Sequence, residues 1–171
     1  MYEKALTFAR NKHENQVRKF NGEPYVNHPI RVANIVKEFT SNEDMLAAAL
    51  LHDTIEDTNA TIEDIKLEFN DNIANMVWGL TSDKDQIKKI GKTNYLSEKL
   101  NKMSSDELLI KLADRLDNVS DLSSEQQKWS TEYSLQTNNI ILSLNNPNCN
   151  KDHLILIDRI KEKISPFIGD Q

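Results

Sequence analysis

The sequence contains a single cysteine, Cys149, so no internal disulfide can form and nothing in it calls for an oxidising compartment. Glycine and proline are also scarce, at four each. That scarcity disfavours a turn-rich all-β fold and suits a helical one. Long apolar runs are missing too. The longest, MLAAALL at residues 45–51, has the length of a buried helix and falls well short of a membrane span. The opening segment, MYEKALTFARNKHENQ, is charged and amphipathic and lacks the apolar stretch of a signal peptide. Positive charge is in deficit, with a net charge of −6, which argues against broad binding to nucleic acid. These absences lead to the expectation of a cytoplasmic protein with neither a nucleic-acid nor a membrane partner. They do not exclude a small phosphorylated substrate, since a pocket needs only a few local cations. Arg18 with Lys19, Lys88 and Lys89 with Lys92, and Lys111 with Arg115 provide such clusters.

What is present points to one globular domain covering residues 1–171. The chain has 38% hydrophobic and 28% charged residues, enough for a core without disulfides. Helical periodicity dominates. Tyr2, Ala5, Leu6, Phe8 and Ala9 predict an amphipathic first helix. Residues 16–29 carry Asn-Gly, Glu-Pro and His-Pro and read as a loop, after which Ile30, Val32, Ala33, Ile35, Val36 and Phe39 resume a helix. Capping boxes are expected at Ser41 with Asp44, Thr61 with Asp64, and Ser104 with Glu107. Further helices are predicted at residues 73–80, through Leu96 and Leu100, at 127–144 and at 153–164, with a Lys-rich loop at 82–92. No repeat or domain boundary is visible. The expected fold is all-α, a single bundle of roughly eight helices.

Three segments carry chemistry. In ALLHDTIED, His52 and Asp53 end an apolar helix, and Glu56 and Asp57 follow at i+4. Burying an imidazole and a carboxylate is costly unless they pair or ligate something. Acids and imidazoles gathered on one face repel unless a divalent cation or shared protons lie among them. A solvated acidic helix end is the plainer alternative. In LLIKLADRLDN, Asp114 has Asn118 at i+4, and that helix alone suits an exposed Asp114 paired with Lys111 or Arg115. His28 lies at the loop-to-helix junction of PYVNHPI, where it could equally be a structural residue, and Tyr25 reads as a packing residue.

The ordered set His28, His52-Asp53, Glu56-Asp57 and Asp114 resembles the HD-domain superfamily of phosphohydrolases. RKFNGEPYVNHP (residues 18–29), AALLHDTIEDT (48–58) and LIKLADRLDN (109–118) are similar to the hydrolase domain of RelA/SpoT proteins and the stand-alone small alarmone hydrolases. The best-matched region is about residues 6–144. The resemblance implies that His28, His52, Asp53 and Asp114 ligate one divalent ion, most often Mn²⁺. Imidazole with carboxylate suits Mn²⁺, Fe²⁺ or Zn²⁺, and the lack of thiolates argues against structural zinc. It also implies that Glu56 and Asp57 are catalytic, orienting a water and accepting its proton. The implied reaction removes the 3′-pyrophosphate of ppGpp or pppGpp. Arg18, Lys19, Lys92, Asn118 and Tyr133 are the implied substrate-binding residues.

Three positions depart from the family pattern. Asp117 stands where His or Tyr is usual, Ser120 replaces an Arg, and the stretch between Trp129 and Tyr133 is short and lacks a phosphate-contacting Arg. They leave open another phosphorylated nucleotide as substrate, and a nucleotide-binding regulator without turnover is a further alternative. No room is expected for a synthetase domain, residues 153–164 are expected to be structural, and the oligomeric state is undetermined.

Overall fold

A computed structural model describes residues 1–19 and 21–169. Among the described residues there are eleven α-helices, one 3-10 turn at Ser124–Gln126 and no strand. The all-α expectation holds. The number of helices exceeds eight because four-residue and seven-residue helices form where only loops or helix ends were legible. None of the helices is long and apolar enough to cross a membrane. The chain divides into two compact units, Met1–Ser82 and Asp83–Gln171.

The first unit contains α1 (Tyr2–Lys12), α2 (Asn27–Lys37), α3 (Glu43–Leu51), α4 (Thr54–Asp57), α5 (Ile62–Glu68) and α6 (Asp71–Leu80). Its centre is α3, whose residues from Met45 to Leu51 are all buried. A helix apolar on every side has to be enclosed, and α1, α2 and α6 pack around it. Its cap differs from the expectation. Asn42, not Ser41, accepts the Asp44 and Met45 N–H groups, while the Asp44 carboxylate accepts from the Asn70 and Asn72 amides. The Thr61–Asp64 capping box forms as expected.

The loop predicted for residues 16–29 is shorter than expected, because α2 already begins at Asn27. His28 and Pro29 therefore occupy its first turn, where a proline is tolerated because the N–H groups have no helical partner. An isolated bridge between Val17 and Pro24, with Arg18 N–H donating to the Glu23 carbonyl at 2.9 Å, folds the loop back on itself.

The second unit contains α7 (Lys84–Ile90), α8 (Lys92–Leu100), α9 (Ser105–Ser120), α10 (Gln127–Leu142) and α11 (Lys151–Ile168). The Lys-rich segment expected as a loop is α7. Asp83 caps it by accepting the Asp85 and Gln86 N–H groups. Gly91, at φ 82°, separates it from α8 in a conformation that other residues resist. The Ser104–Glu107 capping box opens α9 as expected. Along α11, Leu156, Ile157, Ile160 and Ile164 are buried, and this helix packs against α9 and α10. His153 joins two of these elements: its Nε2–H donates to the Ser105 carbonyl at 2.9 Å while Nδ1 accepts the Asn150 N–H at 3.0 Å. These bonds tie the start of α11 to the start of α9.

Candidate active site

The apolar helix α3 stops at Leu51, and the backbone turns through His52 and Asp53 before α4 begins. The four polar residues therefore do not share one continuous helix face. The break instead aims His52 and Asp53 back toward the first turn of α2. His28 and His52 are both buried and their rings meet edge-on, with centroids 5.2 Å apart and planes at 70°. His28 Nε2 lies 3.6 Å and His52 Nε2 3.0 Å from Asp53 Oδ2.

The tautomer of His52 follows from its other nitrogen. Nδ1 lies 2.8 Å from the Ala49 carbonyl, which can only accept, so Nδ1 carries the hydrogen. In the neutral ring Nε2 then presents a lone pair toward a carboxylate oxygen. Fixing a ligand imidazole through a backbone carbonyl is the usual support for a metal-binding histidine. Electron-pair donors converging on one oxygen suit a divalent cation, so the chemistry of the residues fits one.

Glu56 and Asp57 follow on α4. Glu56 Oε2 accepts the Ser82 N–H at 2.9 Å, which orients its carboxylate. Asp57 is exposed, and its carbonyl accepts from Gln16 Nε2 at 2.8 Å. Tyr25, read from sequence as packing, has a polar role: its hydroxyl donates to Asp53 Oδ2 at 2.6 Å and lies 3.4 Å from Asp57 Oδ2. The sequence signal that could have exposed this was its place three residues before His28 in a loop of polar residues.

Arg18 and Lys19 sit in the bridged loop, Arg18 half-buried and Lys19 exposed; Phe20 of the same motif lies outside the described residues. The loop is fastened to α2 by Glu23, which accepts from Asn27 Nδ2 at 3.2 Å and pairs with Arg31 at 2.8 Å. Burial alone would raise the Glu23 pKa. Hydrogen bonds from Asn27, Arg31 and Asn21, with the Arg31 charge, outweigh that and hold it below its ordinary 4.5.

In the second unit, Asp114 is buried on α9, where its own helix pattern taken alone suited an exposed residue; the pairing with Lys111 is present. Burial removes it from the class of weak surface pairs. Lys111 Nζ donates to its Oδ2 at 2.8 Å and Asn118 Nδ2 to its Oδ1 at 2.6 Å, so the carboxylate is gripped from the turns before and after. Asp117, the departure beside it, is buried as well. Lys92 opens α8 and is exposed. Tyr133 on α10 stacks on Trp129, with centroids 5.2 Å apart and planes at 20°, and the Arg115 guanidinium lies over its ring at 4.9 Å.

This chemistry has a counterpart in known proteins. A family model described as HD domain matches residues 5–148. The chain belongs to the HD domain family. As an HD-domain protein it has relatives of known kind. It is 43% identical over 129 residues to the guanosine-3′,5′-bis(diphosphate) 3′-pyrophosphohydrolase of Aquifex aeolicus, a match covering 70% of this chain and 17% of that protein. It is 38% identical over 135 residues to MESH1 of Homo sapiens, also named as a guanosine-3′,5′-bis(diphosphate) 3′-pyrophosphohydrolase, covering 77% of this chain and 75% of that one. The solved structure of a metazoan ortholog of SpoT that hydrolyses ppGpp superposes on this HD-domain chain with a TM-score of 0.79 at 31% identity, covering 95% of this chain and 94% of that one.

Proposed function

We propose that this HD-domain protein is an enzyme that removes the 3′-pyrophosphate of ppGpp and pppGpp, giving GDP or GTP and pyrophosphate. The observation that carries this reading is the convergence of His28 Nε2 and His52 Nε2 on Asp53 Oδ2, whose Tyr25 hydroxyl partner stands 3.4 Å from Asp57 Oδ2. The relatives named for this activity support it. The proposed ligands are His28, His52, Asp53 and Asp114, and the proposed ion is Mn²⁺, which suits a mixed imidazole and carboxylate set. When bound, such an ion supplies Lewis-acid chemistry, acidifying water and drawing charge from a phosphoryl oxygen.

The side chains do the rest. Glu56, oriented by the Ser82 N–H, and Asp57 orient the attacking water and take its proton. Lys111 and Asn118 set the angle of the Asp114 carboxylate. Arg18 and Lys19 contribute positive charge near the nucleotide, the guanidinium being suited to stacking on a base and the ammonium to a phosphate. Lys92, Asn118 and Tyr133 complete the proposed nucleotide contacts. The residues from 1 to 171 are read as a single cytoplasmic domain.

A second reading, an HD hydrolase for another phosphorylated nucleotide, rests on the departures at Asp117, at Ser120 and between Trp129 and Tyr133, whose rings stack on each other. Purified protein with Mn²⁺, offered ppGpp, pppGpp and a panel of other nucleotides, decides between the two. Pyrophosphate release from ppGpp is expected. Phosphate release alone, or turnover of another nucleotide without ppGpp, overturns the first reading.

A further inference from the structure

The loop before α2 is tied to α4 through Gln16 and the Asp57 carbonyl. Its chain of hydrogen bonds has a fixed direction. The Asp57 carbonyl accepts from Gln16 Nε2 at 2.8 Å, so Gln16 Oε1 is the atom that faces His13 Nδ1, also at 2.8 Å. An amide oxygen only accepts, so His13 Nδ1 carries the hydrogen. His13 is buried, and its ring lies against Tyr25 with centroids 4.9 Å apart and planes at 35°. Tyr25 is held on two further sides. Its N–H donates to the Gln16 carbonyl at 2.8 Å, and its ring meets His28 edge-on at 5.8 Å.

All of this ordering serves one hydroxyl. Tyr25 Oη donates to Asp53 Oδ2 at 2.6 Å and stands 3.4 Å from Asp57 Oδ2. One phenol has one hydrogen, and the distances assign it to Asp53. We propose that Tyr25 is a positioning residue for the reaction, holding the Asp53 carboxylate in its ligating rotamer and setting the approach of Asp57, with His13 and Gln16 as the buttress that fixes the phenol. The inference rests on the metal-dependent reading given above. Its physical basis is that a short, charge-assisted hydrogen bond removes rotamers from a carboxylate that would otherwise swing in a half-buried site. The hydroxyl also places a dipole where two anionic groups of different tasks come near each other.

Tyr25→Phe removes the oxygen and leaves the ring against His13 and His28. Two measurements are made on it: Mn²⁺ affinity by calorimetry, without nucleotide, and kcat and KM for pyrophosphate release from ppGpp. The expected result is Mn²⁺ affinity weakened about 10- to 100-fold, the range for lost supporting hydrogen bonds at metal ligands, and kcat lowered at saturating Mn²⁺. KM for the nucleotide should hold near the wild-type value, and the melting temperature without metal should not fall. His13→Ala, which keeps the hydroxyl and removes its buttress, should move both readouts the same way by a smaller factor. Wild-type Mn²⁺ affinity in Tyr25→Phe overturns the proposal, and so does a loss that appears in KM alone. A wild-type protein that binds Mn²⁺ but leaves ppGpp intact overturns the substrate reading instead, and the calorimetric comparison still decides the role of Tyr25.

Discussion

Asp53 Oδ2 is where the polar residues of the first unit meet: a phenol hydrogen at one side, two imidazole nitrogens at the others. Side chains this close divide the work by distance and orientation. In the proposed mechanism His52 and Asp53 hold the ion, while Glu56 and Asp57, one turn on, handle a proton. Removing the second pair should therefore separate binding from chemistry. Glu56→Ala and Asp57→Ala should each lower turnover by about 10²- to 10⁴-fold, the usual contribution of a positioned acid or base, with Mn²⁺ affinity little changed. Single-turnover release of pyrophosphate and metal titration measure the two effects. Asp57→Ala with full activity would remove that residue from the mechanism.

At the scale of elements, the site depends on where helices stop and start. The break between α3 and α4 turns His52 and Asp53 inward, and the early start of α2 brings His28 into its first turn. The helix α9 carries Asp114 and is started by Ser104, whose side chain accepts the Glu107 N–H. Ser104→Ala should cost about 1 kcal/mol, the usual effect of losing such a cap, read as a lower urea midpoint. The capping box of α5 adds a pH dependence. Hydrogen bonds from the Thr61 backbone N–H and side chain hold the Asp64 pKa below its ordinary 3.8. A depressed folded pKa stabilises above the unfolded value and loses that contribution as pH falls through the folded one. Asp64→Asn should thus be less stable than the parent at neutral pH. The difference should close as the pH is lowered well below 3.8, which urea midpoints measured across acid pH would track.

For the whole molecule, a ligand that binds only the folded chain stabilises it by mass action. Mn²⁺ at about 100 times its dissociation constant should add about 2.7 kcal/mol and raise the melting temperature by about 5–10 °C for a chain of this size. Chelation should reverse the shift. Asp114→Ala should lose most of it, and a full shift in that variant would remove Asp114 from the ligand set.

Much of this was legible in the sequence. The helical class follows from the 3.6-residue periodicity and the scarcity of glycine and proline, which act locally. The Thr61 and Ser104 boxes were readable because a cap depends on residues three apart. The proposed ligand set of His28, His52, Asp53 and Asp114 was named from residue type and order. Other features were not. Asn42 displaced Ser41 as a cap, since either residue satisfies the local rule and packing of α3 chose between them. The helix at residues 84–90 formed where polarity suggested a loop, because Asp83 and Gly91 close its ends. Asp114 looked exposed beside Lys111 until its helix was seen to be buried on nearly every face. Tyr25 read as packing because its partners, Asp53 and Asp57, lie 28 and 32 residues away. Composition and short-range spacing determined the fold class and offered the candidate side chains; only tertiary packing, which joins residues far apart in the chain, decided which of them are buried and that the Tyr25 hydroxyl meets Asp53.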